Sequence, residues 1–253
     1  MAIANQKGGV GKTTTSVNLS SCVGKAGKKV LLIDIDPQAN ATSGTGIDRK
    51  DIDRGTYEWI IGEAAGSDVI RELPWEGLSI IPANRNLSGV EVELIEMQKR
   101  EYYLSNCIHK LNNLYDFIFI DCPPSLGLLT VNALTAADSV LMPIQCEYYA
   151  LEGLGQLLET FNLVKRRLNP LLEVEGIVLT MADMRTNLSQ QVIKEVRGHF
   201  GKRVFHTVIP RNIKLSEAPG FGKPIIEYDI RSVGAESYME FAREFLERNE
   251  GTL

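Results

Sequence analysis

Two lysines flank a glycine run near the start of the chain, in the stretch NQKGGVGKTTT at residues 5–15. Gly8, Gly9 and Gly11 let backbone N–H groups crowd around anionic oxygens with no Cβ in the way. A helix beginning behind them adds the partial positive charge of its N-terminus. Lys12 and Thr13 complete the second half of the phosphate-loop pattern G-x-x-x-x-G-K-[ST]. In that pattern the lysine reaches the β- and γ-phosphates and the hydroxyl binds Mg²⁺. The first half departs from the pattern, because Gln6 stands where it has glycine and Lys7 follows. One lysine serves a phosphate loop, so Lys7 needs a separate explanation. A bare glycine turn between strand and helix is the plainer alternative, and the following GKT argues against it.

Carboxylates appear where such a loop needs them. Asp34 and Asp36 close the run VLLIDIDPQAN, and Asp121 closes FIFIDCPP. Acids at the carboxyl ends of parallel strands face the ligand crevice. Asp121 suits the Walker-B role, holding Mg²⁺ directly or through water. One such acid alone could simply cap a strand–loop junction; two acidic strand ends beside this loop point to a site.

The elements that would position these residues alternate along the chain. Short Val/Ile/Leu-rich runs lie at 2–5, 29–36, 78–83, 115–124, 139–145, 174–181 and 203–210. They lack strict polar alternation, which suits strands buried on both faces of a mainly parallel sheet. Helical spacing fills the gaps at about 12–27, 126–136, 151–168, 188–199 and 234–248. The last of these puts Tyr238, Phe241, Ala242 and Phe245 on one face. The order predicts an α/β fold, a doubly wound, mostly parallel twisted sheet flanked by helices, with residues 1–253 as one domain. Two stretches stand outside this scheme: a polar, mixed one at 41–72 and a long Pro- and Gly-rich one at 209–232. Long loops in compact domains tend to be functional.

Composition narrows the class. Of 253 residues, 44% are hydrophobic and 23% charged, an ordinary globular balance. The net charge of −5 excludes coating nucleic acid by bulk charge, so any DNA contact must come from a local basic surface. Cys22, Cys107, Cys122 and Cys146 have neither zinc nor redox spacing and read as reduced, buried thiols. No signal peptide precedes the glycine loop and no apolar run is long enough to span a bilayer, so a cytoplasmic protein is expected.

Taken together, KGGVGKTTT, DIDPQANATSG, DCPPSLGLLTVNAL, QCEYYALEGL and IPRNIKLSEAPGFGKPI resemble the ParA/Soj class of partition ATPases, whose phosphate loop is the deviant K-G-G-x-G-K-T. The likeness runs from residue 2 to about 245. It is to the short chromosomal type, without the N-terminal DNA-binding extension of larger plasmid members.

That resemblance implies an ATP- and Mg²⁺-dependent homodimer in which two subunits sandwich two nucleotides. Gly8, Gly9, Val10, Gly11, Lys12, Thr13 and Thr14 would hold each subunit's own nucleotide, with Thr13 and Asp121 on the metal. Lys7 would cross to the partner's nucleotide, much as an arginine finger does, and offset charge where the subunits meet. A finger-type cation is worth ~10³–10⁵ in rate in fast phosphoryl-transfer systems; slow, partner-stimulated family members imply less. Asp36 matches the carboxylate that orients the attacking water. Asp34 is expected near the metal or in a structural role. Residues 36–43 and 121–127 resemble the two switches. Met181 and the Pro210–Arg211–Asn212 loop would flank the base, although Met181 is equally readable as a core methionine.

Arg185 and Lys214 match positions used for non-specific double-stranded DNA binding on a nucleoid. A ParB/Spo0J-type centromere-binding protein is the implied partner. A regulatory or cargo-positioning ATPase of the same fold is the alternative. MinD-type ATPases end in a basic lipid-binding helix, whereas MEFAREFLERNEGTL is net acidic, so no membrane is expected. Cys122 and Cys146 lack the spacing of an iron–sulfur bridge, and no feature of 209–232 requires a metabolic substrate pocket.

Overall fold

The computed structural model describes residues 1–111, 114–147 and 150–250. Tyr148 and Tyr149 of the QCEYYALEGL motif, and the final Gly-Thr-Leu of the acidic tail, lie outside the described residues. Eight strands form one sheet: β1 (Ala2–Ile3), β2 (Val30–Asp34), β3 (Arg71–Glu72), β4 (Leu78–Ile81), β5 (Phe117–Asp121), β6 (Ser139–Gln145), β7 (Glu173–Ala182) and β8 (Val204–Pro210). Their order is β3-β4-β2-β5-β1-β6-β7-β8. Every pairing is parallel except that of β3 with β4.

The apolar runs are strands because both of their faces are covered. In β2, Leu31 and Ile33 enter one core with Ile120 of β5 and Met142 of β6. Val30 and Leu32 enter the opposite core with Phe119 and Leu141. Successive side chains point to opposite faces, so a strand covered on both sides reads as a continuous apolar run.

The helices divide between those faces. They are α1 (Lys12–Lys25), α2 (Asn40–Gly44), α3 (Thr56–Ile61), α4 (Gly66–Val69), α5 (Leu87–Glu93), α6 (Tyr103–His109), α7 (Leu128–Ala136), α8 (Ala150–Arg167), α9 (Asn187–Phe200), α10 (Ile213–Glu217), α11 (Ile225–Tyr228) and α12 (Val233–Glu250). Val17 of α1, Leu215 of α10, Ile225 of α11 and Phe241 of α12 pack on one side. Trp59 of α3, Leu104 of α6, Leu157 of α8 and Val196 of α9 pack on the other. The doubly wound, mostly parallel sheet expected from the sequence is therefore present. The face expected on the last helix is buried as well, with Tyr238, Phe241, Ala242 and Phe245 inside.

Three local expectations change. The first strand is only two residues long, because Ala4 onward bends into the phosphate loop. The polar stretch at 41–72 holds α2, α3, α4 and the edge strand β3. The 209–232 stretch holds α10, a 3₁₀ turn at Ala218–Phe221, and α11. Among the described residues no helix is long and apolar enough to cross a membrane. All four cysteines are buried free thiols.

This topology places the site. β2 to β5 lie on one side of β1, and β6 to β8 lie on the other. The carboxyl end of β1 is the point where the strand order reverses, and such points open a crevice in doubly wound sheets.

Candidate functional site

The phosphate loop leaves β1 at that point and runs into α1. Gly9 and Gly11 have φ of 74° and 86°, a region that L side chains rarely occupy. Gln6 is not among the residues of positive φ, so the backbone does not demand the glycine that the strict pattern puts there. The loop is tied to neighbouring strands. Asn5 donates to the Pro143 carbonyl at 2.7 Å, and Thr180 of β7 donates to the Val10 carbonyl at 2.8 Å.

The two lysines are placed differently. Lys12 is 6% exposed, and its Nζ folds back to donate to the Lys7 carbonyl at 3.0 Å. Burial lowers its pKa, and the nearby charges of Asp121 and Asp36 partly oppose that shift. Lys7 is half-exposed, with its Nζ 3.5 Å from Glu147, two residues past the end of β6.

The three acids also separate. Asp121 is fully buried; its two oxygens accept from Thr13 at 2.9 Å and Ser16 at 2.7 Å. Burial, with Asp34 beside it, pushes its pKa up to about 7, against the pull of those hydroxyls. Asp34 is fully buried as well. It accepts from the Asp36 backbone at 3.0 Å, and from the backbone and hydroxyl of Thr42 at 2.8 and 2.7 Å. Burial raises its pKa to about 6. These bonds occupy both Asp34 oxygens, which favours its structural role. Asp36 lines the cleft, with one oxygen accepting from the Gln38 backbone.

A cleft of about 390 Å³ opens over the loop. Gly8, Gly9, Gly11, Lys12, Thr13 and Thr14 form its floor; Asp36, Asn40, Ser43 and Pro124 form one wall. A second lobe of about 330 Å³ shares Gly11, Thr14, Met181 and Pro219 with it, and adds Pro210, Arg211 and Asn212. The residues expected around a base are thus assembled beside those expected around phosphates. Met181 is only half-buried and has φ of 52°, so it is a cleft-lining residue rather than a core methionine. Asn212 accepts at its side-chain oxygen from the backbones of Lys214 and Leu215, capping α10. Val10 is buried away from the cleft, with its carbonyl taken by Thr180.

The expected DNA-contacting residues follow neighbouring strands at the opposite edge of the sheet from β3. Arg185 comes three residues after the end of β7, and Lys214 four after the end of β8. Each already has an acidic partner. Arg185 makes two 2.8 Å bonds to Asp183, and Lys214 lies 2.9 Å from Glu217.

Three features escaped the sequence reading. Ser16 sits one helical turn beyond Thr13, a spacing that places both hydroxyls on one face of α1. Thr42 and Glu147 gave no comparable signal: Glu147 meets Lys7 across 140 positions, and Thr42, eight residues from Asp34, reaches it through the turn at the left-handed Ala39.

Comparison with known proteins agrees with this geometry. Residues 1–174 match the AAA_31 family model, described as an AAA domain. The sporulation initiation inhibitor protein Soj of Bacillus subtilis is 57% identical over 244 residues, 96% of each chain. The chain belongs to the ParA/Soj family of chromosome-partitioning ATPases. The ParA protein of Myxococcus xanthus is 52% identical, over 98% of this chain and 88% of its own. A solved cobyrinic acid a,c-diamide synthase from Mycobacterium smegmatis, bound to an ATP analogue and magnesium, superposes with a TM-score of 0.87. It is 37% identical and covers 99% of this chain and 95% of its own. Lys12 and part of the 209–232 stretch line the two lobes of this cleft, and Lys7 stands beside it on Glu147.

Proposed function

We propose that this ParA/Soj-family chain, working as one domain over residues 1–253, is a Mg²⁺-dependent ATPase. Its ATP-bound form is a sandwich dimer that holds DNA without sequence preference and moves or anchors a replication origin. The observation that carries this reading is the divergence of Lys7 and Lys12. One lysine is buried in the chain's own phosphate loop, and the other is half-exposed and paired with Glu147 after β6. The ATP-analogue- and magnesium-bound state of the M. smegmatis relative supports the ligand assignment.

The residues fit the ligands. Lys12 is a buried ammonium whose hydrogen bond is to a loop carbonyl, a contact that phosphate oxygens would replace with a stronger, charge-assisted one. Thr13 and Asp121, already in contact, would hold Mg²⁺; the bound ion would offset charge on the phosphate oxygens. The loop N–H groups bind phosphate, while Met181 and the Pro210–Asn212 loop enclose the base. Asp36, on the wall of the cleft, orients the attacking water. Lys7 of each protomer offsets charge on the other's nucleotide, which makes association depend on the γ-phosphate. Dimerisation brings Arg185 and Lys214 of two subunits onto one surface, so an acidic protein binds DNA only when loaded. A ParB-type partner stimulates a slow hydrolysis and so releases the dimer on the nucleoid.

The test is mass in solution by light scattering with ATP. Asp36→Ala binds ATP, dimerises and releases no phosphate; Lys7→Ala binds ATP and stays monomeric. A Lys7→Ala protein that dimerises like its parent removes the basis for the sandwich.

A further inference from the structure

Glu147, in the QCEYYALEGL motif, has no part in the scheme above. It follows β6, where the Gln145 side chain donates to its Oε1 and orients the carboxylate. Its Oε2 lies 3.5 Å from Lys7 Nζ, and its Oε1 lies 3.9 Å from Arg211 Nη2. Three separate segments therefore meet at one carboxylate: the phosphate loop, the end of β6 and the loop after β8.

The root of Lys7 is fixed by the backbone, while its tip is held by a half-exposed pair. Its backbone N–H donates to the Asn5 side chain at 3.0 Å, and Asn5 in turn donates to Pro143 of β6. Arg211 lines the base lobe, and its backbone donates to Ala182 at the end of β7. Lys7 and Glu147 are 37% and 45% exposed at the side chain. A half-exposed ion pair shifts an equilibrium by no more than about fivefold. That is enough to bias one lysine rotamer and small enough to be exchanged for a polyphosphate, which carries several charges.

We propose that Glu147 is a positioning residue, a counter-ion that parks the Lys7 ammonium on its own subunit, beside the base-lobe arginine, until a second loaded subunit takes it over. The inference rests on the reading of Lys7 as the lysine that crosses the interface. It makes Glu147 an intramolecular competitor of the partner's nucleotide, so the latch raises the ATP-dependent threshold for association.

The experiment uses the full chain carrying Asp36→Ala, with ATP and Mg²⁺, and measures the dimer dissociation constant by analytical ultracentrifugation. Adding Glu147→Gln, which keeps the shape and removes the charge, is expected to tighten the dimer roughly twofold to fivefold, the range set by a surface pair. High salt is expected to shrink the difference, because the pair is screened. A Lys7→Ala, Glu147→Gln double variant is expected to remain as monomeric as Lys7→Ala alone. If Glu147→Gln dimerises no better than its parent, or worse, while Lys7→Ala is monomeric, the latch is overturned and the role of Lys7 stands. If Lys7→Ala dimerises normally, the reading of Lys7 fails and takes the latch with it. A thermal melt unchanged by Glu147→Gln excludes misfolding as the source of either result.

Discussion

Asp34 and Asp121 are register partners on the neighbouring parallel strands β2 and β5, both fully buried, and they serve different neighbours. Asp121 takes two hydroxyls from the phosphate-loop helix, Thr13 and Ser16. Asp34 takes the backbone of Asp36 and both donors of Thr42, and so anchors the segment that carries the proposed water-orienting acid. Thr42 passes the link on, since its hydroxyl accepts from the Ala83 backbone at 2.9 Å beyond β4.

Thr42→Val keeps the shape of that side chain and removes the hydroxyl. It leaves a buried carboxylate oxygen and a buried N–H short of partners, each worth about 1–3 kcal/mol. A drop in stability of that order is expected in urea unfolding. An unchanged midpoint would show that Asp34 does not hold the segment through this residue.

Lys12→Ala is expected to weaken ATP binding by roughly 10- to 100-fold, the worth of about 1.5–3 kcal/mol for hydrogen bonds to a charged group. Titration calorimetry on the monomer measures it. Lys7→Ala in the same assay is expected to leave monomer affinity unchanged, because the Lys7 ammonium pairs with Glu147 and Lys7 does not line the phosphate cleft. Equal losses in both variants would contradict the division between the two lysines.

For DNA, substituting Arg185 or Lys214 by alanine removes one proposed phosphate contact per subunit, hence two per dimer. The log–log salt dependence of binding by the ATP-loaded Asp36→Ala protein is expected to flatten by about 2 for each substitution. Asp183→Asn works in the opposite direction. It frees the Arg185 guanidinium from its bidentate partner and is expected to tighten DNA binding. A retention assay in which Asp183→Asn weakens binding would place Arg185 outside the DNA surface.

Glu244 of α12 pins β8 by accepting from the His206 and Thr207 backbones, the Thr207 hydroxyl and Arg248. Burial pushes its pKa up, and these four donors outweigh that, leaving it below its ordinary value of 4.5. The folded state therefore binds fewer protons here than the unfolded state. Its contribution is present above pH 4.5 and is lost as pH falls through the folded value. Glu244→Gln is expected to lower stability at neutral pH by about 1–2 kcal/mol and to flatten the acid-side decline in a series of denaturant melts. A parallel decline in both proteins would mean that the carboxylate is not linked to folding.

Much of this protein is written locally. The glycines at 9 and 11, the GKT that follows, the acids closing apolar runs and the helical face of α12 are each signals within a few residues of themselves. They were enough for the doubly wound fold, the phosphate loop and the acids around it. The residues proposed to enclose the base were named only through likeness to relatives of known pattern, and they line one cavity.

Tertiary structure alone decided the rest, most of it through interactions that join residues far apart in sequence. Ser16 meets Asp121 across 105 positions, and Lys7 meets Glu147 across 140. Neither separation has a period that a strand or helix could display. The contrast between a buried Lys12 and a half-exposed Lys7 depends on which side of the loop packs against β6 and β7. The assignment of Asp34 to Thr42 rather than to the cleft depends on where α2 lands after a left-handed Ala39 at φ 50°. Residue type and spacing determined which chemistry the chain can carry. The packing of distant segments around the end of β1 decided which group faces it.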